Sequence, residues 1–204
     1  MIRNIALLLL CILITKHISC QNFNGGLIIG VSSSQVSGDD LGGFHKAGLL
    51  IGSFVNRNIT TITKLQMEII YIQKGSKNPN INNIENENYN KPYISLSYIE
   101  VPILLNFLQS NNIQIETGII TGKIITGYYN DSYGKINNTN SLFSNYDLGA
   151  LLGINYIITN KISLNSRISN SILPIGAEDN NLSNVYNSSR KGKYNSVISF
   201  TLNY

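Results

Sequence analysis

Residues 146–171 read YDLGALLGINYIITNKISLNSRISNS, and the period of the apolar side chains in this stretch decides the fold. Tyr146, Leu148, Ala150, Leu152, Ile154, Tyr156 and Ile158 fall on one face of an extended chain. Asp147, Gly149, Gly153 and Asn155 share the other face with Leu151 and Ile157. After residues 159–160 the alternation resumes, with Ile162, Leu164 and Ile168 opposing Ser163, Asn165, Arg167 and Ser169. Successive side chains of a strand leave the backbone on opposite sides, so a period of two with one apolar face predicts β-structure.

The same test, carried outward along the chain, predicts eight strands, over 26–36, 47–56, 63–75, 93–107, 113–128, 145–158, 161–171 and 194–204. Several run ten to fourteen residues, longer than the five or six usual in soluble sheets and close to the 9–11 that a tilted strand needs to cross a bilayer. In the fourth segment the apolar phase changes. Ile94, Leu96 and Tyr98 are apolar at even positions, whereas Val101, Ile103, Leu105 and Phe107 are apolar at odd ones. A β-bulge near Ile99–Pro102 is the expected cause, since Pro102 has no amide hydrogen for the ladder.

The connections, 37–46, 57–62, 76–92, 108–112, 129–144, 159–160 and 172–193, alternate long and short. That order predicts an all-β, eight-stranded, antiparallel up-and-down transmembrane β-barrel, with long loops outside and tight turns in the periplasm. Hydrocarbon demands closure, because an unpaired backbone group there costs several kcal/mol. Apolar faces would meet outer-membrane lipid, and Gln66, Glu68, Glu116, Asp147, Asn165 and Arg167 would fill a narrow polar interior among small residues. Tyr71, Tyr98, Tyr128, Tyr129, Tyr146, Tyr156 and Tyr204 are expected at the strand ends as an aromatic girdle. The alternative, with the apolar faces turned inward, is a secreted lipocalin-like barrel carrying an apolar ligand.

Residues 1–20, MIRNIALLLLCILITKHISC, read as a signal peptide with Arg3 ahead of an apolar run over 5–14, cleaved between Cys20 and Gln21. That places the barrel domain at 21–204, in the outer membrane of a Gram-negative bacterium. His17 stands where a lipobox wants leucine, which argues against lipidation of Cys20. Cleavage would remove both cysteines, so no disulfide would hold the mature chain. Charged residues are 13% of the chain, about half the share of a soluble protein, which with 43% hydrophobic content excludes disorder and argues against a coiled coil. Without Arg3 and Lys16, 13 basic residues face 11 acidic ones, a net charge of +2 that offers nothing to nucleic acid.

No constellation points to catalysis. His45 would need an acid such as Asp39 or Asp40 and a nucleophile such as Ser37, and no spacing supports a triad. Asp39–Asp40 and Glu85/Glu87 read as solvated loop acids rather than a calcium site, and no metal or cofactor is expected. Glu68, Glu116, Asp147 and Arg167 read as an interior network of paired charges, with a proton or ion path as the sharper alternative.

LQMEIIYIQKGSK (65–77), SYIEVPILLNF (97–107) and YDLGALLGINY (146–156) resemble the PorT family of Bacteroidetes, and residues 30–55 resemble its opening hairpin. Those proteins carry the outer membrane protein beta-barrel domain, akin to small OmpA/OmpX-type barrels. The ending SFTLNY, with Phe200, Leu202 and Tyr204, resembles the C-terminal signal that the barrel-assembly machinery reads. The resemblance implies outer-membrane insertion and a type IX secretion association for the family's namesake. The expectation is a non-enzymatic monomer with a structural role, or one that binds an extracellular ligand through loops 76–92 and 172–193.

Overall fold

Alternation over nine to nineteen residues builds every long element: β1 (Asn24–Ser37), β2 (Lys46–Asn58), β3 (Thr63–Lys77), β4 (Tyr93–Leu108), β5 (Ile113–Asp131), β7 (Tyr146–Ile157), β8 (Ser163–Ser171) and β9 (Tyr194–Asn203). The computed structural model describes residues 23–39, 43–77, 93–131, 134–136, 143–176 and 192–204, and the predicted leader at 1–20 lies outside them. Each long strand matches a predicted one within a few residues. The short β6 (Gly134–Ile136) was not expected; it folds back on the end of β5 inside the predicted 129–144 loop.

The strands pair antiparallel in the order β4-β3-β2-β1-β9-β8-β7-β5, and β4 pairs again with β5. The ring of eight therefore has no open edge, and β6 is an appendage to β5. Three tight turns close one end. In two of them a threonine hydroxyl takes the turn's spare amides: Thr60 Oγ1 accepts from Ile62 and Thr63, and Thr159 Oγ1 from Lys161 and Ile162.

The apolar faces point outward. Ile154, Leu164 and Phe200 are 57%, 48% and 56% exposed, whereas Glu116, Asp147 and Arg167 are buried. A lipocalin-like barrel would have the reverse.

The phase change in β4 has a different cause from the bulge expected at Ile99–Pro102. Even-numbered residues point inward along all of β4, from Ile94 through Glu100 and Pro102 to Asn106. The β3–β4 register is the same on both sides of Pro102, with Met67 opposite Ile103 and Ile70 opposite Glu100. Hydrophobicity changes face while the backbone does not. Near the long-loop rim the outer face turns polar at Tyr93, Ser95 and Ser97, and the inner face turns apolar at Ile94, Leu96 and Tyr98. The irregularity lies one strand over. Ser97 pairs with Thr126 but Tyr98 with Ile124, so Ile125 of β5 is the extra residue. Beyond it the parity of β5 is reversed, which turns Tyr129 toward the interior cluster.

The interior is consequently not polar throughout, as expected from the mid-strand charges alone. Ile28, Leu50, Ile70, Ile72, Ile94 and Leu96 form a buried apolar layer, capped by Phe143 and Ile175 from the connections. Tyr98 belongs to this layer and is fully buried, so it is no part of an aromatic girdle. Its position in mid-β4, on the even face, excludes it from the strand ends.

Candidate functional site

Among the described residues, strand parity directs two sets of paired charged side chains into the lumen. The first centres on Arg167 of β8. Glu116, Gly153 and Arg167 are register neighbours across β5, β7 and β8. A Cβ at Gly153 would collide with Glu116 Oε1, so the glycine leaves room for the glutamate to reach past β7 to the arginine. Arg167 Nε donates to Glu116 Oε1 at 2.6 Å and Nη2 to Glu116 Oε2 at 3.2 Å. Across the lumen, Nη1 and Nη2 fork onto Glu68 of β3 at 2.8 and 3.1 Å. Such two-point contact is the strongest geometry a guanidinium offers a carboxylate. Gln66 Nε2 also donates to Glu68 Oε1 at 2.6 Å, and Asn106 Nδ2 donates to Gln66 Oε1 at 3.2 Å.

The second cluster centres on Lys74, which is buried beside the Tyr98 ring at 5.1 Å from its centroid. Its ammonium pairs with Glu100 and lies 3.7 Å from Asp147 Oδ2. Asn195 Nδ2 donates to Asp147 Oδ2 at 2.9 Å and to the Tyr98 hydroxyl at 3.2 Å. Each cluster thus opposes two carboxylates to one cation. Burying a charge costs several kcal/mol, which only close pairing and further hydrogen bonds offset.

Of the residues singled out from sequence, Gln66, Glu68, Glu116 and Arg167 come together in one network, while Asp147 belongs to the other. Asn165 is buried too, outside both sets of contacts. Lys74, Glu100 and Asn195 escaped the sequence reading. The signal was present: Lys74 shares its parity with Glu68 and Glu100 with Leu104. Phe200, Leu202 and Tyr204 face outward, and Tyr204 exchanges backbone hydrogen bonds with Leu27 at 2.8 and 2.9 Å.

On the tight-turn side of Arg167 a cavity of about 260 Å³ opens toward the periplasmic end predicted from sequence, lined largely by amides, among them Asn56, Gln66, Asn106, Gln114 and Asn155. His45 is exposed at the opposite rim, and Asp40, Glu85 and Glu87 lie outside the described residues. Among the described residues no three or more of His, Cys, Asp and Glu gather as metal ligands.

The family profile described as "Outer membrane protein beta-barrel domain" matches residues 19–175. It stops before β9, the strand that completes the ring. Among solved structures, Neisserial surface protein A is similar at 13% identity and a TM-score of 0.55, over 90% of this chain and 98% of that one. Ail, the attachment invasion locus protein of Yersinia pestis, is similar at 11% identity and 0.53, over 90% and 98%. Its complex with the heparin analogue sucrose octasulfate aligns at 9% identity and 0.50, over 88% and 96%. Curated proteins include no match.

Proposed function

Because the chain belongs to the outer membrane protein beta-barrel domain family, we propose that it works as a plugged monomeric scaffold which binds through its outer connections and conducts no solutes. The observation that carries this reading is the filled lumen. The Arg167 cluster, the apolar layer around Leu96 and Ile72, and the Lys74 cluster stand in the same eight-stranded ring, whose interior is only wide enough for side chains.

A filled barrel leaves its loops to act. The connections after Lys77 and Ser171 leave the rim opposite the tight turns, and their sequences over 76–92 and 172–193 are rich in Asn and Ser. Binding segments are commonly loops held by a rigid scaffold. The exposed C-terminal face of Phe200, Leu202 and Tyr204 supports delivery by the barrel-assembly machinery. Placement in the PorT branch, and with it a link to protein secretion, rests on the likeness of segments 65–77, 97–107 and 146–156.

The test replaces residues 79–90 and 178–190 with short Gly-Ser linkers. Expressing cells carrying the intact chain should adhere to protein- or glycan-coated surfaces above a vector control. The linker variant should keep its heat-sensitive gel shift and lose adherence. Steady single-channel conductance by the purified intact chain, or equal adherence by the variant, would overturn the reading.

A further inference from the structure

Outward-facing side chains of β2–β5 change character toward the long-loop rim. Nearer the tight turns, Val55, Met67, Ile69 and Ile103 are exposed and apolar, as lipid contact requires. Above them comes a hydrogen-bonded polar strip: Tyr71 donates to Ser97 Oγ at 3.2 Å, and Gln73 Nε2 donates to the Tyr71 hydroxyl at 3.2 Å. Above that lies a concavity of about 410 Å³ lined by Lys46, Lys77, Tyr93, Ser95, Tyr128 and Asn130. Register builds it, since Lys77 is opposite Tyr93, Tyr93 opposite Asn130, and Ser95 opposite Tyr128. The parity reversal at Ile125 is what brings Tyr128 to the outer face, where its ring meets that of Tyr93 edge-on at 5.6 Å.

The chemistry of this concavity is cationic and hydroxylic. Among the described residues neither Lys46 nor Lys77 forms an ion pair; the Lys46 ammonium contacts only the carbonyl of Ala47, at 3.3 Å. Two ammonium groups beyond an apolar band and its polar border sit at the level of membrane headgroups, and basic residues at that level attract anionic lipid. Tyrosine at the interface presents an apolar body to lipid and a polar tip to water. Ring faces suit the C–H surface of a sugar, while the Ser95 hydroxyl offers a hydrogen-bonding group to its hydroxyls.

We infer that this concavity on β2–β5 seats the phosphorylated saccharide headgroup of a glycolipid in the outer leaflet, with Lys46 and Lys77 flanking a phosphate and Tyr93 and Tyr128 packing against the sugar. The assignment to the outer leaflet rests on the orientation proposed above, with the long connections outside the cell.

The purified full chain in detergent is exposed to bis-phosphorylated lipid A, and separately to its dephosphorylated form, with retention read by native mass spectrometry. The phosphorylated form should be retained and the other not. Lys46→Gln/Lys77→Gln should lower retention roughly thirtyfold, and Lys46→Arg/Lys77→Arg should preserve it, with the heat-sensitive gel shift confirming that both variants fold. Equal retention by the glutamine variant, equal retention of the dephosphorylated lipid, or release by an equal concentration of inorganic phosphate would overturn the proposal, the last by revealing a free-anion site. Orientation is read separately, by labelling Lys77→Cys in intact cells with an impermeant maleimide. Labelling supports the outer-leaflet assignment and its absence overturns it, whatever the detergent result for the concavity.

Discussion

Arg167 and Glu68 are 99 residues apart in the chain, yet their side chains meet in a two-point fork at 2.8 and 3.1 Å across the barrel lumen. Neither local pairing nor the strand ladder brings them together, because β3 and β8 are not neighbours in the ring. The fork ties opposite walls.

Arg167→Met should expose the cost of that arrangement. Glu68 and Glu116 would be left buried and unpaired, and breaking one side of a buried ion cluster typically costs about 3–5 kcal/mol. Urea unfolding of the folded barrel in detergent measures the loss. The triple variant Arg167→Met/Glu68→Gln/Glu116→Gln should recover most of it; a triple variant as unstable as the single one would refute the charge argument.

Gly153→Val should disturb the same cluster from the backbone side. A side chain there occupies the space taken by Glu116 Oε1, and forced overpacking of this kind costs about 1–3 kcal/mol. Thermal loss of the unboiled gel band checks this against Gly25→Val, near the strand end, where a Cβ comes no closer than 3.1 Å to the Phe54 carbonyl and the smaller effect is expected.

In the second cluster, Lys74→Met should be far worse than Tyr98→Phe. The first leaves Glu100 and Asp147 without a cation, costing about 3–5 kcal/mol. The second removes a hydroxyl that accepts one hydrogen bond from Asn195, worth about 1 kcal/mol. Equal destabilisation in denaturant titrations would show that the ion pairs contribute no more than the single neutral bond.

The lipid-facing assignment predicts depth dependence. Leu152→Arg places a charge on the exposed face of mid-β7 and should cost about 2–4 kcal/mol, whereas Ser95→Arg at the rim should cost about 0–1 kcal/mol. Refolding equilibria into vesicles measure both. Similar values at the two sites would contradict the position of the apolar band.

Strand number, strand limits and the outward sense of the apolar faces were legible in the sequence, since period-two alternation is a local property and lipid selects for it along each strand separately. The 146–171 hairpin shows this most plainly: Leu152, Ile154 and Ile168 face out, and Asp147, Gly153 and Arg167 face in. The inward parity of Glu68, Glu116 and Arg167 could be read the same way. Which charges share a cluster could not, because that depends on shear and tilt bringing non-adjacent strands to one height.

Hydrophobicity is also an ambiguous guide near the rim. In β4 the apolar residues change parity while the backbone continues undisturbed, because at Ile94–Tyr98 the lumen is drier than the surroundings and at Ile99–Phe107 the reverse holds. A sequence pattern reports how apolar a position's environment is, not on which side of the wall it lies. Alternation along single strands determined that this chain makes a closed barrel facing lipid. Only the tertiary structure decided that Asp147 answers to Lys74 rather than Arg167, that Tyr98 lies inside, and that Ile125 carries the bulge, because each depends on how separate strands meet across the ring.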